Sequence, residues 1–468
     1  MSFTKYMNMG FDVIITFMLI FSFPMPGVDR SSVPAAIILG LIIVFNRRLR
    51  GRFIRALYTD KFVRFCLIGC GIFIGYGMLW PTILQTNDME LMRVFRLKLL
   101  FMVLLLVLYL HLKARHGVYG TLRIIYITFV LQSIIQLGGY CSESFLSVIR
   151  TIGPISENSE DLYGGQLSRG FALCGVRFFG LSVPYSFVLA AYLYVFGGKF
   201  KWTDVFWLCV YVAGGTFSAR SFFIGLLACL VVITLSRGGA SLYFKMSAGA
   251  MFLIFFVMGI MPESLAEKTQ NQLFPWMFEF WYNFQSTGTF RTNSSDAVLY
   301  LHHFELPAST IAFGDGYMLE PWAADTGFYY PYLGTDAGYM RTLGFGGIPY
   351  LLAVAFFHAC MLWPIAKMPR AGAKWVFWVL VGLMLVMQIK GDILGALTMF
   401  TYDLFFLGLC LEGIAAHERD RRRKAPAFIP GPPLPLPPGF APPRFRPLPP
   451  PPPMPLPPPG ALQPRPLS

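Results

Sequence analysis

Residues 172–196 read ALCGVRFFGLSVPYSFVLAAYLYVF, and this stretch decides the fold class. It is longer than the roughly 20 apolar residues that a helix needs to cross a bilayer core, and Arg177 is its single charged residue. Comparable apolar stretches recur from Phe11 to Ala416. Because a chain in lipid must satisfy its backbone hydrogen bonds internally, this pattern predicts a bundle of membrane-spanning helices.

The composition agrees with that prediction. With 55% hydrophobic residues, 13% charged residues and a mean hydropathy of +0.57, the chain has too little polar surface for a soluble domain. We therefore predict an all-α polytopic membrane protein with about twelve transmembrane helices and a large periplasmic loop that contains short helices. The predicted spans are residues 10–27, 32–46, 62–84, 97–112, 119–138, 172–196, 203–218, 220–236, 246–262, 342–366, 375–391 and 393–415.

The net charge of +14 comes from short basic clusters between apolar spans, for example residues 47–52 and 421–424. This distribution is typical of cytoplasmic connections in membrane proteins, so no nucleic-acid partner is expected. Both termini are then cytoplasmic, and the first apolar segment, which lacks a small-residue cleavage site, is interpreted as a retained span. Two large loops, residues 139–171 and 262–341, fall on the opposite side.

The chain thus divides into a transmembrane domain, residues 1–416, and a basic then proline-rich tail, residues 417–468, which we expect to be disordered, cytoplasmic and dispensable. Most of the eight cysteines lie inside apolar stretches, whereas Cys141 and Cys174 lie near the outer surface and could form a pair. No metal-ligand spacing is present, so neither a metal nor another cofactor is expected.

The loop 262–341 is rich in aromatic residues and too long to be structureless. Residues 276–284 predict an interfacial amphipathic helix, and residues 296–304 predict a second short helix. The aromatic side chains suit anchoring at the headgroup level and stacking on sugars equally well, and both interpretations stay open.

Four arginines on the loop side of the membrane point to an anionic ligand: Arg177, Arg220, Arg291 and Arg341. Arginine in or beside lipid is costly, and its guanidinium is suited to bidentate phosphate recognition. The alternative for each is that the side chain reaches the lipid headgroups, which for Arg341 explains the sequence as well as a ligand does. Lys390 and Asp392 mark a short turn and could simply pair with each other.

Several motifs in this order resemble the O-antigen polymerase and O-antigen ligase superfamily. They are Arg177-x2-Gly180-x3-Pro184, Ser218-Ala219-Arg220-Ser221, Gly314-Asp315-Gly316 and Asp336-Ala337-Gly338-Tyr339. The ligase branch has a histidine, one further residue, nine more residues and then a glycine just before a span. In this chain Asp336 stands at the histidine position and Gly347 at the glycine position, which favours the polymerase branch. A pattern typical of the polymerase branch, an arginine followed by fifteen residues and a glycine, is not met. The positions at that spacing from Arg150, Arg169 and Arg291 hold Gln166, Tyr185 and Pro307.

The resemblance implies a metal-independent membrane glycosyltransferase of the bacterial inner membrane with a periplasmic active site. Its substrate would be an undecaprenyl-pyrophosphate-linked glycan, polymerised into O-antigen, capsule or exopolysaccharide. Membrane lipid and a chain-length regulator are the expected partners. Under this interpretation the four arginines bind pyrophosphate, and the base comes from Asp336, His303 or Asp315.

Two of these catalytic candidates also have a purely structural interpretation. A single histidine such as His303 is more often structural than catalytic, and Asp315 suits a turn without any catalytic role. Three other functions stay open. One is a ligase that transfers the polymer to another acceptor, another is a flippase or transporter for the same lipid-linked sugar, and the third is a non-catalytic scaffold that uses the proline-rich tail.

Overall fold

The structure is a computed structural model that describes residues 3–153, 172–176, 178–236, 240–248, 262–289, 291–292, 306–322, 330–335 and 337–424. The regular secondary structure of the described residues is helical apart from one small hairpin and an isolated bridge between Leu319 and Pro331. Its α-helices are α1 Phe3–Phe21, α2 Ser32–Phe45, α3 Arg47–Thr59, α4 Lys61–Ile83, α5 Glu90–Cys141, α6 Glu143–Ile152, α7 Phe179–Phe196, α8 Trp202–Ser218, α9 Phe222–Leu235, α10 Glu263–Lys268, α11 Phe274–Met277, α12 Glu279–Thr287, α13 Ala308–Phe313, α14 Gly338–Ala366, α15 Ala373–Lys390 and α16 Thr398–Lys424. The strands are β1 Pro24–Met25 and β2 Val28–Arg30, which pair antiparallel.

Several helices are compatible with a multi-pass membrane protein. Among the described residues, five helical segments are long and apolar enough to cross a bilayer: Lys61–Ile83, Phe179–Lys199, Gly338–Ala366, Ala373–Lys390 and Met399–Lys424. The pair α2 and α3 would add a sixth as one broken span, although these helices meet at 102°. The end of α1 and helix α9 are apolar but shorter.

Several predicted boundaries differ from the structure, including the start of span 172–196, since α7 begins only at Phe179. The first span was expected to reach residue 27, but α1 ends at Phe21 and the hairpin β1–β2 follows it. Predicted spans 97–112 and 119–138 belong to one helical element, α5, whose only internal break is at Gly117 (φ 70°). Glycine adopts this left-handed φ without a Cβ clash, so the chain changes direction there without a separate loop. The predicted span 246–262 falls largely outside the described residues. Residues 417–424 of the predicted disordered tail instead continue helix α16, where Glu418 pairs with Arg370, and residues 425–468 lie outside the described residues.

Helix α7 forms the centre of the bundle, and nearly all of its side chains are buried. Helices α5, α8 and α9 pack around it. The approach of α9 is very close, since a Cβ on Gly225 would lie 2.0 Å from Ser186 Oγ. Small residues at such contacts allow helices to pack tightly where lipid provides no hydrophobic driving force.

A buried lysine holds the turn between α15 and α16. Lys98 on α5 is fully buried, and its Nζ donates to the carbonyl oxygens of Leu394 at 2.9 Å and Gly395 at 2.6 Å. Asp392 accepts hydrogen bonds from the backbone N–H groups of Gly395 and Ala396. The turn that follows α15 is therefore rigidly placed, which matters because α15 ends beside the candidate site.

Candidate functional site

The ends of four helices meet at the part of the bundle that contacts the long loop, and we call this region the loop end. The hydroxyls of Ser182 on α7 and Ser221 before α9 lie 2.9 Å apart. The ring of Phe179 packs against Gly391, where a Cβ would lie 2.4 Å from it. At Gly338 a Cβ would lie 2.5 Å from the Gly391 carbonyl oxygen. The loop end therefore gathers the starts of α7, α9 and α14 with the end of α15.

Arg220 lies at the start of α9 and is bound to the long loop. Its guanidinium forms an ion pair with Glu279 in the first turn of α12, and both side chains are largely buried. Its Nη1 also donates to the Trp276 carbonyl oxygen at 3.4 Å, and the guanidinium lies 5.6 Å from the Trp276 ring centre. Charge pairing and the cation–π contact together fix the loop helices against the bundle.

The predicted interfacial helix 276–284 is divided in the structure. Helix α11 ends at Met277 and α12 begins at Glu279, with Phe278 between them in a non-helical conformation (φ −107°, ψ 26°). The break lets the Trp276 carbonyl and the Glu279 carboxylate both face Arg220. The second predicted loop helix, residues 296–304, lies outside the described residues.

A groove of about 730 Å³ opens beside this ion pair, between α9, the end of α15 and the loop helices. Arg220, just before α9, and Lys390, the last residue of α15, both line it where these two helix ends meet. Its walls along the bundle are apolar and consist mainly of Leu226, Leu227, Leu230, Val386 and Ile389. One part of the groove is therefore cationic while the rest resembles a surface for a hydrocarbon chain.

Arg341 is buried within the bundle. It is 6% exposed and belongs to the first part of α14, which is interrupted at Gly346 and Gly347. Burial raises the pKa of Glu90, while the charges of Arg93 and Arg341 oppose that rise, so Arg341 lies within electrostatic reach of Glu90. This burial favours contacts of Arg341 within the protein over a side chain that reaches out to the headgroups.

Asp315 is engaged in fixing the loop. Thr310 Oγ1 donates to its Oδ1 at 2.8 Å, and the Tyr332 hydroxyl donates to its Oδ2 at 3.0 Å. Its own N–H donates to the Gly344 carbonyl oxygen at 2.6 Å. Burial raises the pKa of the Tyr332 hydroxyl, and its bond to Asp315 acts in the same direction. This arrangement favours the turn interpretation of Asp315 over a role as base.

The other predicted site residues are placed as follows. Arg291 is exposed and lies next to Thr292, which lines the groove, and Asn283 Nδ2 donates to the Arg291 carbonyl oxygen at 2.9 Å. Arg177, His303 and Asp336 lie outside the described residues. The suggested Lys390–Asp392 pair does not form, because the Asp392 carboxylate accepts from Gln388 Nε2 and from the turn that follows α15.

Sequence reasoning missed three residues of this site. The sequence suggests Lys390 only as a partner of Asp392, although a lysine at the end of an apolar span is itself a sign of a ligand or headgroup contact. For Glu279 and Trp276 the sequence indicates only that they belong to an amphipathic loop helix. No local signal in the sequence links either residue to Arg220.

Metal and disulfide chemistry find no support in the described part of the chain. There, no three His, Cys, Asp or Glu side chains are grouped as metal ligands. Cys141 is exposed and Cys174 is buried, and the two do not form the disulfide that their predicted positions allowed.

The groove is thus defined by geometry alone: a cationic end, apolar walls and an ion pair that connects it to the long loop. A scan against known protein families finds no match to this chain, and a search of curated proteins finds no similar sequence.

Proposed function

We propose that this protein polymerises undecaprenyl-pyrophosphate-linked oligosaccharide repeat units at the periplasmic face of the bacterial inner membrane. The observation that carries the proposal is the groove with Arg220 and Lys390 at one end and aliphatic walls along α9 and α15. A lipid pyrophosphate needs both features in one place, since its head is a dense anion and its tail is a hydrocarbon.

The groove suits this substrate physically. Leu227, Val386 and Ile389 are exposed, so a polyprenyl chain lying along α9 and α15 would cover apolar surface. Arginine binds phosphate oxygens through two parallel N–H donors, and lysine adds a compact charge beside it. The pyrophosphate would compete with Glu279 for Arg220, which couples substrate binding to the position of the long loop.

The reaction proposed is a displacement at the anomeric carbon. The hydroxyl of an incoming lipid-linked repeat unit attacks C1 of the growing chain's first sugar, and the C1–O bond to pyrophosphate breaks. Undecaprenyl pyrophosphate leaves with the bonding electrons, and the hydroxyl proton passes to a base. Arg220 and Lys390, with Arg177, Arg291 or Arg341 in support, would stabilise the leaving charge. Asp336 is the preferred base, followed by His303, because Asp315 is already hydrogen-bonded.

The proposal includes a topology. About twelve spans would place both termini in the cytoplasm and residues 139–171 and 262–341 in the periplasm. Membrane lipid surrounds the bundle, and a chain-length regulator is the protein partner that a polymerase of this class would need.

Polymer length in cells tests the proposal. In cells whose polymer depends on this protein, Arg220→Ala should remove the long-chain ladder and leave single repeat units, because the leaving pyrophosphate loses its main cation. Lys390→Ala should shorten the ladder by weakening donor binding. Polymer is separated by gel electrophoresis at matched protein levels in the membrane.

Arg93→Ala is the matched control. Arg93 belongs to the same proposed side of the membrane as Arg220, but its side chain is 67% exposed and lies outside the groove. Its ladder should be normal. Normal long-chain polymer from both Arg220→Ala and Arg177→Ala would contradict the proposed function.

A further inference from the structure

A second cavity lies at the end of the bundle opposite the loop end, where α2 leads into α3. Its volume is about 340 Å³, and its polar walls come from Asn46, Arg48, Arg52, His111 and Arg115. Among the described residues, its walls contain no acidic side chain. The long-loop site makes no use of this cavity.

A buried carboxylate organises one wall of the cavity. Asp12 on α1 is fully buried and accepts from Arg115 Nη1 at 2.9 Å, while its two oxygens lie 3.2 Å from His111 Nε2 and 2.6 Å from His116 Nε2. These contacts hold His111 and Arg115 in place along α5. Asp12 is paired with Arg115, whereas Arg48 and Arg52 have no acidic side chain beside them in the described cavity wall, so the cavity carries net positive charge and favours an anion.

The neighbouring helix has the character of an element that lies in a membrane interface. Helix α3 meets α2 at 102° and reads RRLRGRFIRALYT. Leu49 faces the protein, whereas Ile54 and Tyr58 are exposed, and Phe45 just before the helix is 82% exposed. Basic residues interleaved with exposed apolar ones are typical of helices that lie among lipid headgroups.

We propose that this cavity binds a phosphate group, and that the phosphate is the phosphodiester of an anionic phospholipid. Arg48 and Arg52 are one helical turn apart on α3 and present their guanidinium groups from one side, while Arg115 and His111 face them from α5. The glycerol and acyl chains of the lipid would lie beside Phe45 and Tyr58. Bound lipid would thereby fasten α3 to α5.

The test is equilibrium lipid binding to the purified full chain in detergent, measured by native mass spectrometry and by thermal stabilisation. The probes are dioctanoyl phosphatidylglycerol, dioctanoyl phosphatidylcholine and inorganic phosphate. We expect saturable binding of phosphatidylglycerol, with phosphatidylcholine binding about tenfold more weakly because its headgroup carries no net negative charge.

Arg48→Gln combined with Arg52→Gln should weaken phosphatidylglycerol binding by about tenfold or more. The control is Arg47→Gln combined with Arg55→Gln, which removes the same charge from α3 outside the cavity and should retain binding. Equal losses in the two double variants would show general surface attraction and overturn the site. Equal binding of the two lipids, or saturable binding of inorganic phosphate alone, would overturn the assignment to an anionic lipid.

Discussion

At the residue scale, Arg220 is the residue on which most of the candidate site depends. It connects the start of α9 to the long loop through Glu279 and Trp276, and it also forms the cationic end of the groove. A largely buried arginine without its carboxylate would carry an uncompensated charge. Glu279 therefore stabilises the loop in the absence of substrate and competes with any anion that approaches Arg220.

Replacement of this carboxylate tests the competition directly. If the proposed substrate is correct, Glu279→Gln should bind undecaprenyl pyrophosphate more tightly, by about tenfold, because the pyrophosphate no longer displaces a charged partner. The measurement is equilibrium binding of the lipid to the purified protein in detergent.

Glu263→Gln serves as the comparison, since it removes an exposed carboxylate from the same loop without contact to Arg220. We expect its affinity to equal that of the unmodified chain. Unchanged or weaker binding by Glu279→Gln would mean that Glu279 does not occupy the anion's place.

At the element scale, the long loop is held to the bundle by backbone as well as by side chains. The N–H groups of Asp315 and Gly316 donate to the carbonyl oxygens of Gly344 and Phe345 at 2.6 and 3.0 Å. This contact is possible because α14 is interrupted at Gly347, whose backbone (φ 65°, ψ −164°) lies in a region that is essentially restricted to glycine. The interruption in α14 therefore forms the docking site of the long loop on the bundle.

Gly347→Ala should weaken this contact between the long loop and α14. An alanine Cβ would lie 2.5 Å from the Ala312 carbonyl carbon, and the left-handed φ adds strain, so we expect a cost of about 2 kcal/mol or more. Amide hydrogen exchange at Asp315 and Gly316 should accelerate, and the thermal unfolding midpoint of the full chain should fall.

Gly382→Ala provides the matched substitution within α15, where a Cβ would meet nothing within 4 Å. It should leave both quantities unchanged or raise the midpoint slightly, because alanine favours helix over glycine. Equal amide exchange rates in Gly347→Ala and the unmodified chain would show that other contacts hold the loop against the bundle.

At the scale of the whole molecule, the proposals require the loop end and α3 to face opposite sides of the membrane. Cys141 ends α5 and is exposed, whereas the remaining cysteines are buried or partly buried. A membrane-impermeant maleimide should therefore label spheroplasts through Cys141, because this end of α5 is proposed to be periplasmic. Mass spectrometry of the labelled protein identifies the site.

Two further variants complete this experiment. Cys141→Ser should abolish labelling of intact spheroplasts, and Thr59→Cys in that background should be labelled only after the membrane is opened, since Thr59 ends α3. The reverse pattern would invert the proposed topology and with it the assignment of both sites to their faces.

Local sequence properties determined the helical class, the positions of most apolar helices and the choice of Arg220 as a residue of interest. The predicted limits 62–84, 203–218 and 375–391 lie within two residues of helices α4, α8 and α15. This agreement has a physical reason: a run of apolar residues and the charges at its ends are properties of a single segment. They can be read without knowledge of the neighbouring helices.

Tertiary structure alone decided which of these residues meet. Glu279 is 59 positions from Arg220, and Asp12 is 103 positions from Arg115, so no local pattern links either pair. The burial of Arg341, the structural engagement of Asp315 and the place of Lys390 in the groove likewise depend on how α9, α14 and α15 pack. Hydropathy specifies that a helix is embedded, whereas shape, small residues and buried charge select its neighbours and so create both the groove and the cavity beside α3.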